Sequence, residues 1–481
     1  MFDVGIIGAG VVGCAIAREL SRYNVSVCLI EKCGDVSCGA SKANSGIVHG
    51  GYSAKAGTLK GLLCGRGNSM FAALEEELHF GYRKTGALII GFTDEDKNTI
   101  HGLYQNGVKN GYADTLEIIG PERIVEIEPH INPEVKIALY DSSVGVASPF
   151  EMAFALAENA VQNGVKLSLE SEVIGIEQRQ GYFAVITTKG DYECRYVVNA
   201  AGVYSDKIAQ MVGINDFQIL PRRGQYILLG KDQGHLINSV TFQCPTKMGK
   251  GVLVTTTFHR NLMIGPDAED TASRDDTGTT EEALKLIVKT ARLSVPGFDI
   301  KKAITTFSGV RAVSSTGDFV IGRTAVPGFI NAAGIDSPGL TSSPAIAKTV
   351  CDLLGKAGLE LNPNKAFNPF RRGIIVKKDT NFRGSTEDTS PENHIICRCE
   401  RVTEAEIIDA LHRGIPVRSI DAVKLRTRAG MGPCQGTFCR PRVRALLSRE
   451  LGIPEEEIPQ RGNVSPQPER VPILAIRKFD M

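Results

Sequence analysis

The sequence predicts an α/β protein in three parts: a Rossmann-type nucleotide-binding domain built from discontinuous segments, an inserted domain on an antiparallel sheet, and a small helical module near the C-terminal end. Three observations carry that prediction. Asp3 to Lys32 reads as strand, glycine turn, helix and strand; a strand-to-glycine junction returns at Gly202 and again at Gly334; and four of the twelve cysteines fall after residue 396.

The first stretch is the most specific. Val4 to Ile7 is an apolar run of strand length, and Val11 to Leu20 has helical apolar spacing. Between them lies Gly8-x-Gly10-x-x-Gly13. Gly8 permits the tight turn, Gly10 lets backbone approach a pyrophosphate, and Gly13 lets helix and strand pack closely. The helix N-terminus offers N–H groups and a positive dipole end to phosphate. A second strand, Val25 to Ile30, ends at Glu31, 18 positions after Gly13, where a carboxylate accepts from a ribose diol. The alternative is a βαβ unit with incidental glycines.

Composition narrows the class. A chain of 481 residues allows two or three domains. The apolar 42% and charged 23% are those of a globular protein, and a net charge of +1 supplies no field for nucleic acid or an anionic membrane. Met1 to Gly13 lacks a signal peptide's basic start, and no run approaches the roughly 18 apolar residues needed to span a bilayer. A cytoplasmic, reducing compartment is expected, and peripheral membrane contact is compatible with it. Of the twelve cysteines, Cys14, Cys28, Cys33, Cys38, Cys64, Cys194, Cys244 and Cys351 are scattered and read mostly as small buried residues.

Taken in order, the loop after Glu31 is rich in Gly, Ser and Ala. Ser41, Asn44, Ser45 and Gly46, followed by His49, suit backbone laid against a flat ring system. His49 read by itself is a loop histidine with a structural hydrogen bond. Ser69 to Ile127 reads as helices and then an αβ segment, and Met152 to Asn163 as an amphipathic helix opened by Ser148-Pro149. Val165 to Glu177 and Tyr182 to Thr188 alternate as strands, and Tyr196 to Ala201 is a strand entering Gly202. From Phe217 to Phe319, β-like runs at Gln225 to Leu229, Gly251 to Thr257, Leu262 to Ile264 and Ala303 to Val313 predict a largely antiparallel sheet that covers a reactive face. Phe329 to Ala333 then leads through Gly334 to Gly339, Leu340 and Thr341 and a helix from about Ser343 to Leu354. That helix N-terminus would set positive dipole against developing negative charge. The expected divisions are nucleotide-binding parts near 1–80, 145–215 and 305–360, cap parts near 81–144 and 216–304, a polar linker 371–393, a module 394–455 and a proline-bearing tail 456–481.

The late return to the nucleotide fold, the small-residue loop directly after the ribose acid and the capping β segment favour FAD over NAD. Over about Asp3 to Gly355 the pieces NSGIVHGGYSAKAGTLK, SPFEMAFALAENA, VVNAAGVYSD, RRGQYILL, SGVRA and NAAGIDSPGLTSSPAIA resemble the D-amino-acid-oxidase-like flavoprotein superfamily. Within it they are most similar to anaerobic glycerol-3-phosphate dehydrogenase large subunits and L-2-hydroxyglutarate dehydrogenases. The resemblance implies FAD, and hydride removal from a secondary alcohol beside an anionic group. It implies that Arg311, in SGVRA, holds that group with its bidentate fork. Lys55, Arg223, Lys247 and His259 lie in similar segments, and either His49 or His259 could take the hydroxyl proton.

The remaining cysteines are Cys397-x-Cys399 and Cys434-x-x-x-x-Cys439. Four thiolates in two close pairs suit a [2Fe–2S] cluster or a structural zinc ion. C-x-C is an uncommon zinc knuckle, and ICRCERVTEAEI with LRTRAGMGPCQGTFCRPRV resembles the bacterioferritin-associated ferredoxin-like [2Fe–2S] domain. Lys424 to Arg449 holds seven basic residues and no acid, which would stabilise a cluster, form a solvated helix face or dock an acidic partner. Together these resemblances imply a dehydrogenase for a small anionic hydroxy substrate, sn-glycerol 3-phosphate first. Its electrons would pass through the cluster to a partner redox subunit or a quinone. A 2-hydroxy acid and an amine or amino acid are the alternative substrates. An electron-relay subunit with a dead alcohol site and a metal sensor are the readings from other classes.

Overall fold

The computed structural model describes residues 1–245, 251–375, 378–379, 381–462 and 468–479. Lys247 lies outside the described residues. Five strands run parallel through the centre, in the order Phe329–Ala333, Tyr192–Asn199, Phe2–Ile7, Val27–Ile30 and Lys166–Ser168. Side chains alternate across the sheet, so Val4, Ile6 and Leu29 pack on one face and Ile7, Cys28 and Ile30 on the other. Both faces are covered, which is why these strands read as unbroken apolar runs. Helices Val11–Leu20, Pro149–Gln162 and Gly339–Lys356 cover the first face. Each large apolar side chain buried there contributes on the order of 2 kcal/mol.

Three expected elements differ. Val165 to Glu177 is two strands, Lys166–Ser168 in the parallel sheet and Val173–Arg179 in an antiparallel hairpin with Tyr182–Thr187. The chain turns between them, with Glu170 at a left-handed φ of 55°. The late helix starts at Gly339 rather than Ser343 and carries Pro344 inside it; the proline has no N–H for the Leu340 carbonyl oxygen, which accepts the Ser343 hydroxyl at 2.9 Å instead. The β-rich stretch also contains helix Glu281–Ser294, whose Leu284, Ile287, Val288 and Ala291 follow the i, i+3, i+4, i+7 spacing of a helix covering a sheet.

The second sheet has nine strands and is antiparallel except where Val240–Gln243 lies parallel to Ala87–Gly91. Its spine is the long pairing of Ile219–Leu229 with Ala303–Ser314. Residues 468–479 are strapped to this sheet. Ile476 is fully buried in its core, and Arg477 donates to the Ala303 carbonyl oxygen at 2.9 Å.

The C-terminal module has its own core, formed by Ile396, Val402, Ile407, Val423, Val443 and Leu447 among others. Helix Glu404–Leu411 is capped by Thr403 and Glu406 in a reciprocal capping box. The module rests on the nucleotide-binding domain through Arg426, whose fully buried guanidinium meets Asp35, in the loop after strand Val27–Ile30, at 2.7 and 2.8 Å and lies 4.1 Å from the ring centre of Phe154 on helix Pro149–Gln162. Lys231 reaches Glu400 at 2.8 Å from the cap side. Arg371, where the sequence suggests a free linker, is buried and pairs with Glu158 at 2.5 Å.

Candidate active site

The first turn is fixed by steric necessity. Gly8 has φ +103°, and a Cβ there would meet the Ala200 carbonyl oxygen at 2.5 Å; one on Gly13 would lie 1.9 Å from the Gly8 carbonyl oxygen. Helices Val11–Leu20 and Gly339–Lys356 carry no acid in their first turns, and both N-termini open on one cavity of about 2040 Å³. Gly8, Gly10, Glu31, Ser41, Asn44 and Ser45 line it on one side; Gly202, Gly339 and Leu340 line it on others. Glu31 is buried, its carboxylate fixed by the N–H groups of Ala9 at 2.8 Å and Cys33 at 3.0 Å. Ser41 Oγ accepts the Val11 N–H at 2.8 Å, and Asn44 ties its own loop through the Ala40 and Ser41 carbonyl oxygens and the Gly46 N–H. A glycine cradle, an acid 18 positions on, and two dipole ends on a roomy cavity fit FAD.

Four expected cofactor residues do not line the cavity. Gly13 serves the helix–strand contact. A Cβ on Gly46 would meet the Ala147 carbonyl oxygen at 2.4 Å, and one on Gly334 would meet Ser314 Cβ at 2.7 Å. Thr341 lies beneath the loop, its Oγ1 accepting the His49 N–H at 2.9 Å and donating to the Ile47 carbonyl oxygen at 3.2 Å. These four shape the wall from behind.

At the cap end, His49 and Arg311 line the same cavity. His49 is buried beside Phe242, with ring centres 6.1 Å apart. Arg311 Nη2 donates to the Asp267 carbonyl oxygen at 2.9 Å, and a Cβ on Gly224 would come within 2.2 Å of that nitrogen. Gly224 therefore makes the room that the guanidinium occupies. Tyr226 stacks on Phe307 at 4.7 Å and sits against Arg311 and Ser45; burial pushes its phenol up. Lys55 also lines the cavity.

His259 does not line it. Its Nε2 lies 2.7 Å from Glu151 Oε1 on helix Pro149–Gln162, so the proton-acceptor role expected of it does not fit its place. Burial pushes the Glu151 carboxyl up, but His259 and then Arg428 and Ser148 hold it below the usual range. Arg223 is likewise structural, paired with Glu269 and Asp276 at 2.6 Å each. Sequence reasoning missed Tyr226, Asp267 and the Lys60–Asp336 pair at 2.7 Å, all at the cavity. The Gly265-Pro266-Asp267 turn was the available signal for Asp267; Lys60 carried none.

In the module the four cysteines converge as two pairs. Cys399 and Cys434 have Sγ atoms 3.6 Å apart, and Cys397 and Cys439 are buried in the same core cluster. The Cys439 thiol, with the N–H groups of Gly430, Glu400 and Cys399, brings Cys397 down to about 6. At Cys434, burial pushes up and the N–H groups of Phe438 and Gly436 more than offset it. A Cβ on Gly432 would lie 2.2 Å from Cys399 Cβ, so backbone wraps the thiols with no room for a side chain. Paired thiols with N–H donors fit a two-iron cluster, two thiolates to each iron. The basic residues are not a uniform halo: Arg426, Arg428 and Arg449 are spent on Asp35, Glu400 and Glu404.

Two family models match the chain: FAD dependent oxidoreductase over residues 3–353 and BFD-like [2Fe-2S] binding domain over residues 395–449. A glycerol 3-phosphate dehydrogenase of Caloramator mitchellensis is 48% identical over 472 residues, covering 95% of this chain and 96% of its own. A mitochondrial L-2-hydroxyglutarate dehydrogenase of Nematostella vectensis is 30% identical and covers 56% of this chain and 62% of its own. Among solved structures, dithionite-reduced L-alpha-glycerophosphate oxidase from Mycoplasma pneumoniae with FAD bound superposes with a TM-score of 0.73 at 31% identity, covering 77% of this chain and 98% of that one.

Proposed function

We propose, from the premise that this chain belongs to the FAD dependent oxidoreductase family, that it oxidises sn-glycerol 3-phosphate to dihydroxyacetone phosphate and delivers the electrons through its C-terminal cluster to a partner redox protein or a quinone. The observation that carries the reading is Arg311, a fork-shaped cation inside a cavity shared with two helix N-termini. The 48% identical relative spans both the cavity and the module, and the 2-hydroxyglutarate enzyme only part of the chain.

FAD, when bound, supplies a hydride acceptor, and the [2Fe–2S] cluster a one-electron carrier. Gly8, Gly10 and the start of helix Val11–Leu20 would hold the pyrophosphate, Glu31 the ribose, and Ser41, Asn44, Ser45, Gly202, Gly339 and Leu340 the rest of the cofactor. Cys397, Cys399, Cys434 and Cys439 would hold the cluster. Arg311 pairs with the phosphate; its bond to the Asp267 carbonyl oxygen and the room made by Gly224 fix its direction. His49 accepts the hydroxyl proton on its imidazole as the C–H bond breaks. The Tyr226–Phe307 stack and the cap sheet keep water from the reacting end.

An anaerobic dye-reduction assay over sn-glycerol 3-phosphate, L-2-hydroxyglutarate and amino acids tests the substrate. Turnover of glycerol 3-phosphate alone is expected. Turnover of 2-hydroxyglutarate without glycerol 3-phosphate reverses the assignment, and silence with every substrate favours an electron-relay subunit.

A further inference from the structure

Cys399 is the exposed member of the four module thiols; Cys434 is half-buried, and Cys397 and Cys439 are buried. An electron leaving a cluster held by these four therefore has its shortest way to solvent past Cys399 and Cys434, whose Sγ atoms are 3.6 Å apart. The side chains beside that edge are cationic. Arg398, between Cys397 and Cys399, has its guanidinium carbon 4.2 Å from the Phe438 ring centre, and that of Arg442 lies 4.0 Å from the same centre. Both arginines are exposed, and each is held by a further bond: Arg398 donates to Thr386 Oγ1 and Arg442 to the Phe438 carbonyl oxygen, both at 3.1 Å. Arg440 lies over the loop between Cys434 and Cys439, donating to the Gln435 carbonyl oxygen at 3.3 Å; a Cβ on Gly436 would come within 3.6 Å of its Nη2. Arg426, Arg428 and Arg449 are neutralised by carboxylates, whereas Arg398, Arg440 and Arg442 enter no ion pair among the described residues. Glu387 is joined to Arg398 only through the Thr386 hydroxyl, which it accepts at 2.5 Å.

Guanidinium groups already fixed against a ring and a carbonyl have little rotamer freedom left to lose when a carboxylate pairs with them. Charges on an open rim set encounter rate and partner choice more than affinity, which suits a carrier that docks, takes an electron and leaves. A neutral quinone gains no charge pairing from three such cations. Resting on the reading that electrons leave through the module, we propose that the Cys399 edge, framed by Arg398, Arg440 and Arg442, is the docking face for an acidic one-electron carrier protein. One electron passes there from the reduced cluster to the oxidised centre of the carrier; the cluster is oxidised, the carrier is reduced, and no bond forms or breaks. Two carriers are reduced for each hydride taken from substrate.

The test uses the full chain loaded with FAD and cluster, reduced anaerobically with dithionite and freed of excess reductant, so it does not depend on which substrate the cavity takes. Stopped-flow absorbance follows electron transfer to two probes with the same haem and opposite surface charge, cytochrome c and its succinylated, acidic form. At low salt the succinylated form is expected to be reduced roughly tenfold faster, the preference fading as ionic strength approaches about 1 M, where charges act only within about 3 Å. Arg398→Gln combined with Arg442→Gln should abolish the preference, with cluster iron, its paramagnetic resonance signal and flavin bleaching by sn-glycerol 3-phosphate unchanged. Arg442→Gln alone, at an exposed position, should lower the preference even where the double variant loads its cluster poorly. Equal or faster reduction of native cytochrome c at low salt, or a preference that survives in both variants, overturns the proposal. So does prompt reduction of a water-soluble quinone when neither cytochrome is reduced.

Discussion

The four thiols of the module come from one stretch, Cys397 to Cys439, and are aimed by N–H groups of their own loops, whereas the walls of the cavity run from Gly8 through Arg311 to Ile473. The module carries its own core; the cavity is lined by residues of both large sheets, of several helices and of the docked module. A local site fails locally when a residue is removed, while a site assembled from distant segments also depends on the contacts that hold those segments together.

Cys439→Ser gives the largest expected effect and tests whether the two sites are separable. Cluster iron and delivery to a protein or quinone acceptor should be lost, with FAD content and dye reduction retained. Loss of FAD as well would break the comparison. At the other site, His49→Gln should lower kcat by roughly 10²–10⁴-fold with the iron content unchanged, the range expected for removing a general base. Asp35→Ala tests the seam. It strands the buried Arg426 cation, at a cost of about 3–5 kcal/mol, read as a lower Tm and faster proteolysis between residues 371 and 393.

Arg311→Ala should remove on the order of 3 kcal/mol of transition-state binding, about a hundredfold in kcat/KM. Full kcat/KM in that variant would remove Arg311 from the site. His259→Gln should be the mildest in turnover, within about threefold, and visible in acid. Glu151 is held below its ordinary 4.5, so the stability it contributes is full above that value and is lost as pH falls through the lowered one. Without His259, burial would push Glu151 up, and acid unfolding should begin at a higher pH.

The same contrast explains what could be read from the sequence. Gly8 and Gly13 were legible because each is demanded by backbone of the same strand–turn–helix unit or at the end of the adjoining strand, and Gly10 because it completes their spacing. The four cysteines were legible because their pairs are close in sequence. His49 and His259 were indistinguishable there, since only the fold puts one in the cavity and the other on Glu151. Lys60–Asp336 and Arg426–Asp35 join residues hundreds of positions apart, which spacing cannot reveal. Helix Glu281–Ser294 was hidden among strands although its apolar spacing was present, because the surrounding β-like runs set the reading.

Anaerobic addition of sn-glycerol 3-phosphate to the doubly loaded protein, followed by flavin absorbance and electron paramagnetic resonance together, tests the central claim most directly. Bleaching of the flavin band, followed by the signal of a reduced [2Fe–2S] cluster, is the predicted result. A flavin that bleaches fully while the cluster stays oxidised at every substrate concentration would contradict the claim that electrons leave the cavity through the module.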